Sequence, residues 1–172
     1  MVNVVSIPEG VTVSVAGKKV TFKGQKGTNE REFNVKGLTL KLEGKELSVG
    51  VEAGKFVSPA IIGSIESHLR NMVAGSKDGY EKKMKVIYAH FPITLEVKGP
   101  VLKIKNFIGE KQNREAAIVG ATKVVPKGQD VTVSGPSKED VGQTVANIRT
   151  AVRIRNRDPR VFQDGLYVVE EE

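Results

Sequence analysis

The amino-acid sequence predicts an α+β protein of two similar tandem domains, each a small antiparallel sheet with one helix packed on a face. Two matches carry that reading. One strand pattern occurs twice, 82 positions apart, and one helix pattern occurs twice, 79 positions apart. A third observation is compositional. Aromatic residues make up only 5% of the 172 positions and Trp is absent, so a core must come from Val, Ile and Leu, which suit pleated strands. The length accommodates two small domains.

The first hairpin is written in Val11-Thr-Val-Ser-Val-Ala-Gly17, an apolar/polar alternation that passes a Gly turn into Val20-Thr-Phe-Lys-Gly24. Its copy is Ile93-Thr-Leu-Glu-Val-Lys-Gly99 followed by Val101-Leu-Lys-Ile-Lys105. The offset lays Val13 on Leu95, Val15 on Val97, Gly17 on Gly99 and Phe22 on Ile104. Each half then carries a helix. Ser58 is placed to cap the first, with Pro59 at the first helical position, Gly75 at the end, and Ile62, Ile65, Leu69 and Val73 as its buried stripe. Ser137 is placed to cap the second, with Asp140 three residues on and Val141, Val145, Ile148 and Val152 as the stripe. Lys83–Ala89 and Leu166–Val169 are expected as closing strands of the two halves. The domains are drawn as 1–82 and 83–172, with Gly75–Gly79 as the loop before the junction and the acidic end Glu170–Glu172 as a frayed terminus.

The charge is +7, which favours polyanionic partners. Residues 1–90 contribute +5 and residues 91–172 contribute +2. Arginine runs the other way. Only Arg31 and Arg70 fall in the first half, against Arg114, Arg149, Arg153, Arg155, Arg157 and Arg160 in the second. The planar guanidinium pairs bidentately with phosphate, whereas Lys is a hydrated point charge. Between 149 and 160 the five arginines meet a single acid, Asp158. Arg149 and Arg153 are one helical turn apart beside the apolar stripe, and the others continue through an Asn-Arg-Asp-Pro turn. Such a ridge could follow a sugar-phosphate backbone, or it could be a solvated face whose cations suit the helix C-terminus. The loop Asn106-Phe-Ile-Gly-Glu-Lys-Gln-Asn-Arg114 has the same two readings, as an amide- and Arg-bearing RNA contact or as an ordinary turn.

Other chemistries lack a signature. There is no Cys, hence neither a disulfide framework nor a thiolate zinc site, and His68 and His90 are isolated. No nucleophile elbow, P-loop or dinucleotide fingerprint occurs, and no cofactor is implied. Gly24-x-x-Gly27 has the spacing of a backbone-clamping KH loop but sits between strands rather than helices. No signal peptide is read at the start, and no apolar run reaches the roughly 18–20 residues of a membrane span, so a soluble protein is expected, and the lack of Cys suits a reducing cytoplasm.

The segment Arg160-Val-Phe-Gln-Asp164-Gly165-Leu-Tyr167-Val168 resembles the closing motif of the family of the sixth protein of the large ribosomal subunit, in its archaeal and eukaryotic form. The resemblance extends through Ile7-Pro8, Ser58–Gly75, Gly99-Pro100, the 106–114 loop and Val141–Arg149. It implies a non-enzymatic, monomeric constituent of the particle. Its second domain would be the main binder of large-subunit rRNA, near the sarcin–ricin loop and the translation-factor site, among neighbouring ribosomal proteins. By position it implies RNA contacts from Lys111, Asn113, Arg114, Lys138, Arg149, Arg153, Arg155, Arg157 and Arg160. A protein–protein scaffold presenting exposed hairpins is the alternative.

Overall fold

The computed structural model describes residues 3–52, 54–88, 90–158 and 160–169. The chain divides into two compact units: residues up to Gly79 together with Pro136–Lys138, and Tyr80–Gly135 together with the residues from Glu139 on. The acidic end 170–172, Ala89 and Pro159 lie outside the described residues.

In the first unit, β2 (Thr12–Ala16), β3 (Lys19–Gly24) and β4 (Gly27–Glu32) form one antiparallel sheet, and β1 (Asn3–Ser6), β6 (Glu46–Val51) and β5 (Leu38–Glu43) form another. Alternation along β3 sends Val20 and Phe22 inward, both fully buried. They meet the stripe of α1 (Pro59–Lys77), where Ile62, Ile65, Leu69 and Val73 are all buried as their spacing requires. Pro59 opens the helix with its fixed φ, while the Ser58 side chain makes no capping bond. The helix does not stop at Gly75. It runs to Lys77, and the left-handed residue that ends it is Gly79, at φ 78°. Gly75 is buried in the last turn of the helix and does not cap it.

In the second unit, β8 (Thr94–Lys98), β9 (Val101–Lys105) and β10 (Arg114–Ala117) repeat the first sheet. The duplication holds at the level of individual pairs. Val13 faces Phe22 and Val15 faces Val20, as Leu95 faces Ile104 and Val97 faces Leu102. Across the next strand the offset grows from 82 to 85, because Phe22 faces Asn29 whereas Ile104 faces Arg114. The second connection is therefore three residues longer. Elsewhere β11 (Lys123–Lys127) and β12 (Asp130–Gly135) join β7 (Tyr80–Ile87) and β13 (Gly165–Val168) in a four-stranded sheet, order β11-β12-β7-β13, packed against α2 (Lys138–Ala151).

The placement of β7 corrects the expected closing strand of the first half. Val5 faces Leu47 in the first unit and Met84 faces Val131 in the second, so β7 is the counterpart of β1 and opens the second repeat. It pairs with β12 from Tyr80 onward, and a boundary at 82/83 would cut through that ladder. Its apolar positions, Met84 and Val86, both enter the second core. β13 adds a strand along its other edge, with Leu166 opposite Val86.

The Gly24-x-x-Gly27 spacing has a packing cause. The hairpin tip of β3 and β4 rests on the end of α1, where the Lys26 N–H donates to the Ser76 carbonyl at 3.2 Å. A Cβ on Gly24 would collide with that same carbonyl oxygen. Gly24→Ala is expected to lower the free energy of unfolding by about 1–3 kcal/mol. Gly63→Ala, in mid-helix with open space around its Cβ, should instead add up to about 1 kcal/mol. Urea unfolding of the two variants measures both, and equal effects would contradict the close approach.

Candidate nucleic-acid interface

Helix α2 forms under favourable end charges, with Glu139 and Asp140 in its first turn and Arg149 in its last. Val141, Val145, Ile148 and Val152 are buried, which turns Arg149 and Arg153 to solvent beside the stripe. After Ala151 the chain leaves the helix and runs irregularly to β13, turning at Asn156 with φ 59°. Asp158 organises this run. Its carboxylate accepts from the Arg160 N–H at 2.9 Å, and its carbonyl accepts from the Val161 and Phe162 N–H groups. The lone acid among the arginines is thus committed to the backbone. Arg155, Arg157 and Arg160 are exposed, and among the described residues no ion pair engages them or Arg149 and Arg153.

The 106–114 loop differs from a polar tip. Phe107 is fully buried and Ile108 is 6% exposed, so the extended connection is anchored in the core from within. Asn106, Ile108 and Gly109 all take left-handed backbone angles, φ 57°, 51° and 71°. For a β-branched residue such as Ile108 that geometry costs about 1–3 kcal/mol and persists only where burial holds it. Lys111 and Asn113 are left exposed at the tip.

Arg114 does something other than face solvent. Its Nε and Nη2 donate to the two carboxylate oxygens of Glu110 at 2.8 and 2.6 Å. Its Nη1 donates to the carbonyls of Ala151 and Arg153, each at 2.9 Å. The guanidinium also lies 4.4 Å from the centroid of the Phe107 ring. All three of its nitrogens donate inside the protein, which gives Arg114 a structural role beside the expected phosphate contact. It ties the loop to the end of α2. The Arg114 hydrogen bond holds the Glu110 carboxyl below the usual glutamate range, with a further contribution from the charge of Arg157.

The loop and the arginine ridge therefore converge at the C-terminal end of α2. Lys138 does not join them, because it opens the helix at its other end. A groove of about 680 Å³ runs along the ridge, lined by Arg149, Arg153, Ile154, Phe162 and Tyr167 among others. Sequence reasoning passed over Glu110, whose four-residue spacing from Arg114 was the available signal, and over the Arg157–Phe162 contact at 4.8 Å.

This duplicated architecture matches a known family over both repeats. The model of ribosomal protein L6 fits residues 7–79 and again 91–165. The chain belongs to the ribosomal protein L6 family. Large ribosomal subunit protein uL6 of Methanocella arvoryzae is 47% identical over 95% of this chain and 93% of its own length. The uL6 protein of Methanosarcina mazei is 46% identical over 96% and 94%, and that of Staphylothermus marinus 44% over 96% and 92%. As a member of this family, the chain is a structural protein and not an enzyme.

Within this L6 fold the Arg114 clamp is measurable. Arg114→Ala should cost about 2–3 kcal/mol of stability, and Arg114→Lys should recover less than half, since an ammonium cannot fork. The sign for Glu110 follows from its lowered pKa. Its contribution is fully present above the ordinary glutamate value of about 4.3 and is lost as pH falls through the lower folded value. Glu110→Gln should therefore flatten the acid limb of a stability–pH curve while leaving its shape above pH 6 unaltered.

Proposed function

We propose that this structural protein of the large ribosomal subunit binds large-subunit rRNA mainly through its second domain. The reading is carried by one observation: five exposed arginines stand at and beyond the end of α2, and no ion pair of the described residues occupies them. Exposed guanidinium groups outside any ion pair are available for bidentate contact with phosphate oxygens. Burying none of them in salt bridges leaves the full counterion-release gain for association.

In this proposal Arg149, Arg153, Arg155, Arg157 and Arg160 follow one sugar-phosphate backbone. Lys111 and Asn113 reach it from the neighbouring loop, and Lys138 makes a separate contact from the far end of α2. Arg114 supports the surface by fixing the loop against the helix. The contacts are to backbone and shape rather than to a base sequence, since arginine rather than amide side chains dominates the exposed ridge. The first domain acts as a spacer or a surface for neighbouring ribosomal proteins. The location is the region near the sarcin–ricin loop and the translation-factor site, where a bound protein would stabilise folded rRNA without chemistry of its own. The protein is monomeric within the particle, and the particle is cytoplasmic.

Replacing Arg149 and Arg153 together by Ala should weaken binding to large-subunit rRNA and reduce the steepness of log K against log salt. Each lost phosphate contact removes about 0.7–0.9 from the slope. An unchanged slope in a filter-binding titration between 50 and roughly 300 mM salt would rule out the ridge as the binding surface.

A further inference from the structure

The segment 152–164 carries Arg153, Arg155, Arg157 and Arg160 with little regular structure to hold it. Four like charges on a short run repel one another, so a defined course needs anchors. One anchor is local, the Asp158 turn already described. A second comes from a residue far away in sequence. Asp164 has a side chain only 1% exposed, and its Oδ2 lies 3.3 Å from Nδ1 of His90, just beyond the end of β7. The His90 ring stacks on Phe162, with centroids 4.8 Å apart and planes inclined by 27°. The guanidinium of Arg157 lies 4.8 Å from the centroid of that same Phe162 ring. A buried carboxylate, an imidazole, a phenyl ring and a guanidinium thus form one chain of contacts within the second unit.

We infer that His90 is a positioning residue for RNA binding, setting the Phe162 ring as the seat on which Arg157 is presented to phosphate. The inference rests on the reading of the ridge as the rRNA-binding surface. Its physical basis is preorganisation. Arg157 resting on an aromatic face has given up part of its rotamer freedom before any phosphate arrives, and the bound state then costs less to reach. The ring can serve this way only if it is itself fixed. Phe162 is half-buried, and His90 braces it through a hydrogen bond to a carboxylate that the core immobilises. Removing His90 leaves the arginine in the sequence but loosens its seat.

The test is a double-mutant cycle on the full chain, with protein-free large-subunit rRNA from a relative such as Methanosarcina mazei as the probe. Arg157→Ala should lower affinity by about three- to tenfold and reduce the salt slope by about 0.7–0.9, one phosphate contact, whereas His90→Ala should lower affinity by about two- to fivefold at the parent's slope, because the guanidinium still reaches phosphate from a looser seat. The double variant should be no weaker than Arg157→Ala alone, because His90 acts only through Arg157. His90→Phe keeps a ring against Phe162 but loses the bond to Asp164, so it should bind between the parent and His90→Ala, and urea unfolding of each variant separates a folding defect from a loosened seat. Additive losses in the double variant, or a His90→Ala affinity equal to that of the parent while Arg157→Ala falls, would overturn the positioning role alone. If Arg157→Ala and the Arg149/Arg153 pair both leave the slope unchanged, the RNA-binding reading falls and takes this inference with it.

Discussion

The fork of Arg114 joins parts of the second unit that the chain keeps nearly forty residues apart. One side of its guanidinium takes the Glu110 carboxylate, and another nitrogen takes two carbonyls at the end of α2. Beneath it lies the buried Phe107 ring. No other protonated side chain makes that set of contacts, since it needs parallel donors on one edge and a further donor at an angle. The interaction fixes the long loop, closes the end of the helix and sets where the arginine ridge begins. Lys111, Asn113 and Arg153 all take their positions from it.

Duplication shows how the two repeats differ here: at the register position of Arg114 the first unit has Asn29, whose Nδ2 donates to the Met72 carbonyl and the Ser76 Oγ of α1, each at 3.4 Å. In the first unit the corresponding connection is a tight turn between Gly24 and Gly27, paired with each other and pressed on the end of α1. In the second, three further residues widen the connection, and the strained pair Asn106 and Ile108 lets Phe107 drop into the core. The segment after the second helix has changed as well, ending in the added strand β13 beside β7. Both departures from the common plan lie at the same end of α2. The repeat kept its core and altered its rim, which is where a scaffold acquires a function of its own.

Much of this was legible in the chain because it depends on periodicity. Alternation at Val11–Gly24 and Ile93–Lys105, and the spacing of Ile62, Ile65, Leu69 and Val73, are one-dimensional records of which side faces inward. The arginine ridge was legible for the same reason, since the buried stripe of α2 dictates which positions remain outside. Pairings between distant segments were not. β7 reads as the end of one repeat because its alternation says nothing about which sheet receives it. Gly75 looks like a helix terminator because a buried helical glycine and a capping glycine are the same letter. The structural role of Arg114 was hidden because its carbonyl partners belong to residues 151 and 153, and backbone acceptors leave no mark in a sequence. His90 seemed isolated until the fold brought Asp164 beside it.

Capping by Arg114 also changes the electrostatics of the helix it closes. The last carbonyls of an α-helix point outward with a partial negative charge of about half an electron, which repels an approaching anion. In this protein the Ala151 carbonyl and the Arg153 carbonyl just past it face that guanidinium instead of open water. A polyanion arriving at this end would meet arginine side chains without the opposing field of bare carbonyls behind them. A helix terminus that ordinarily discourages phosphate is thereby made neutral ground.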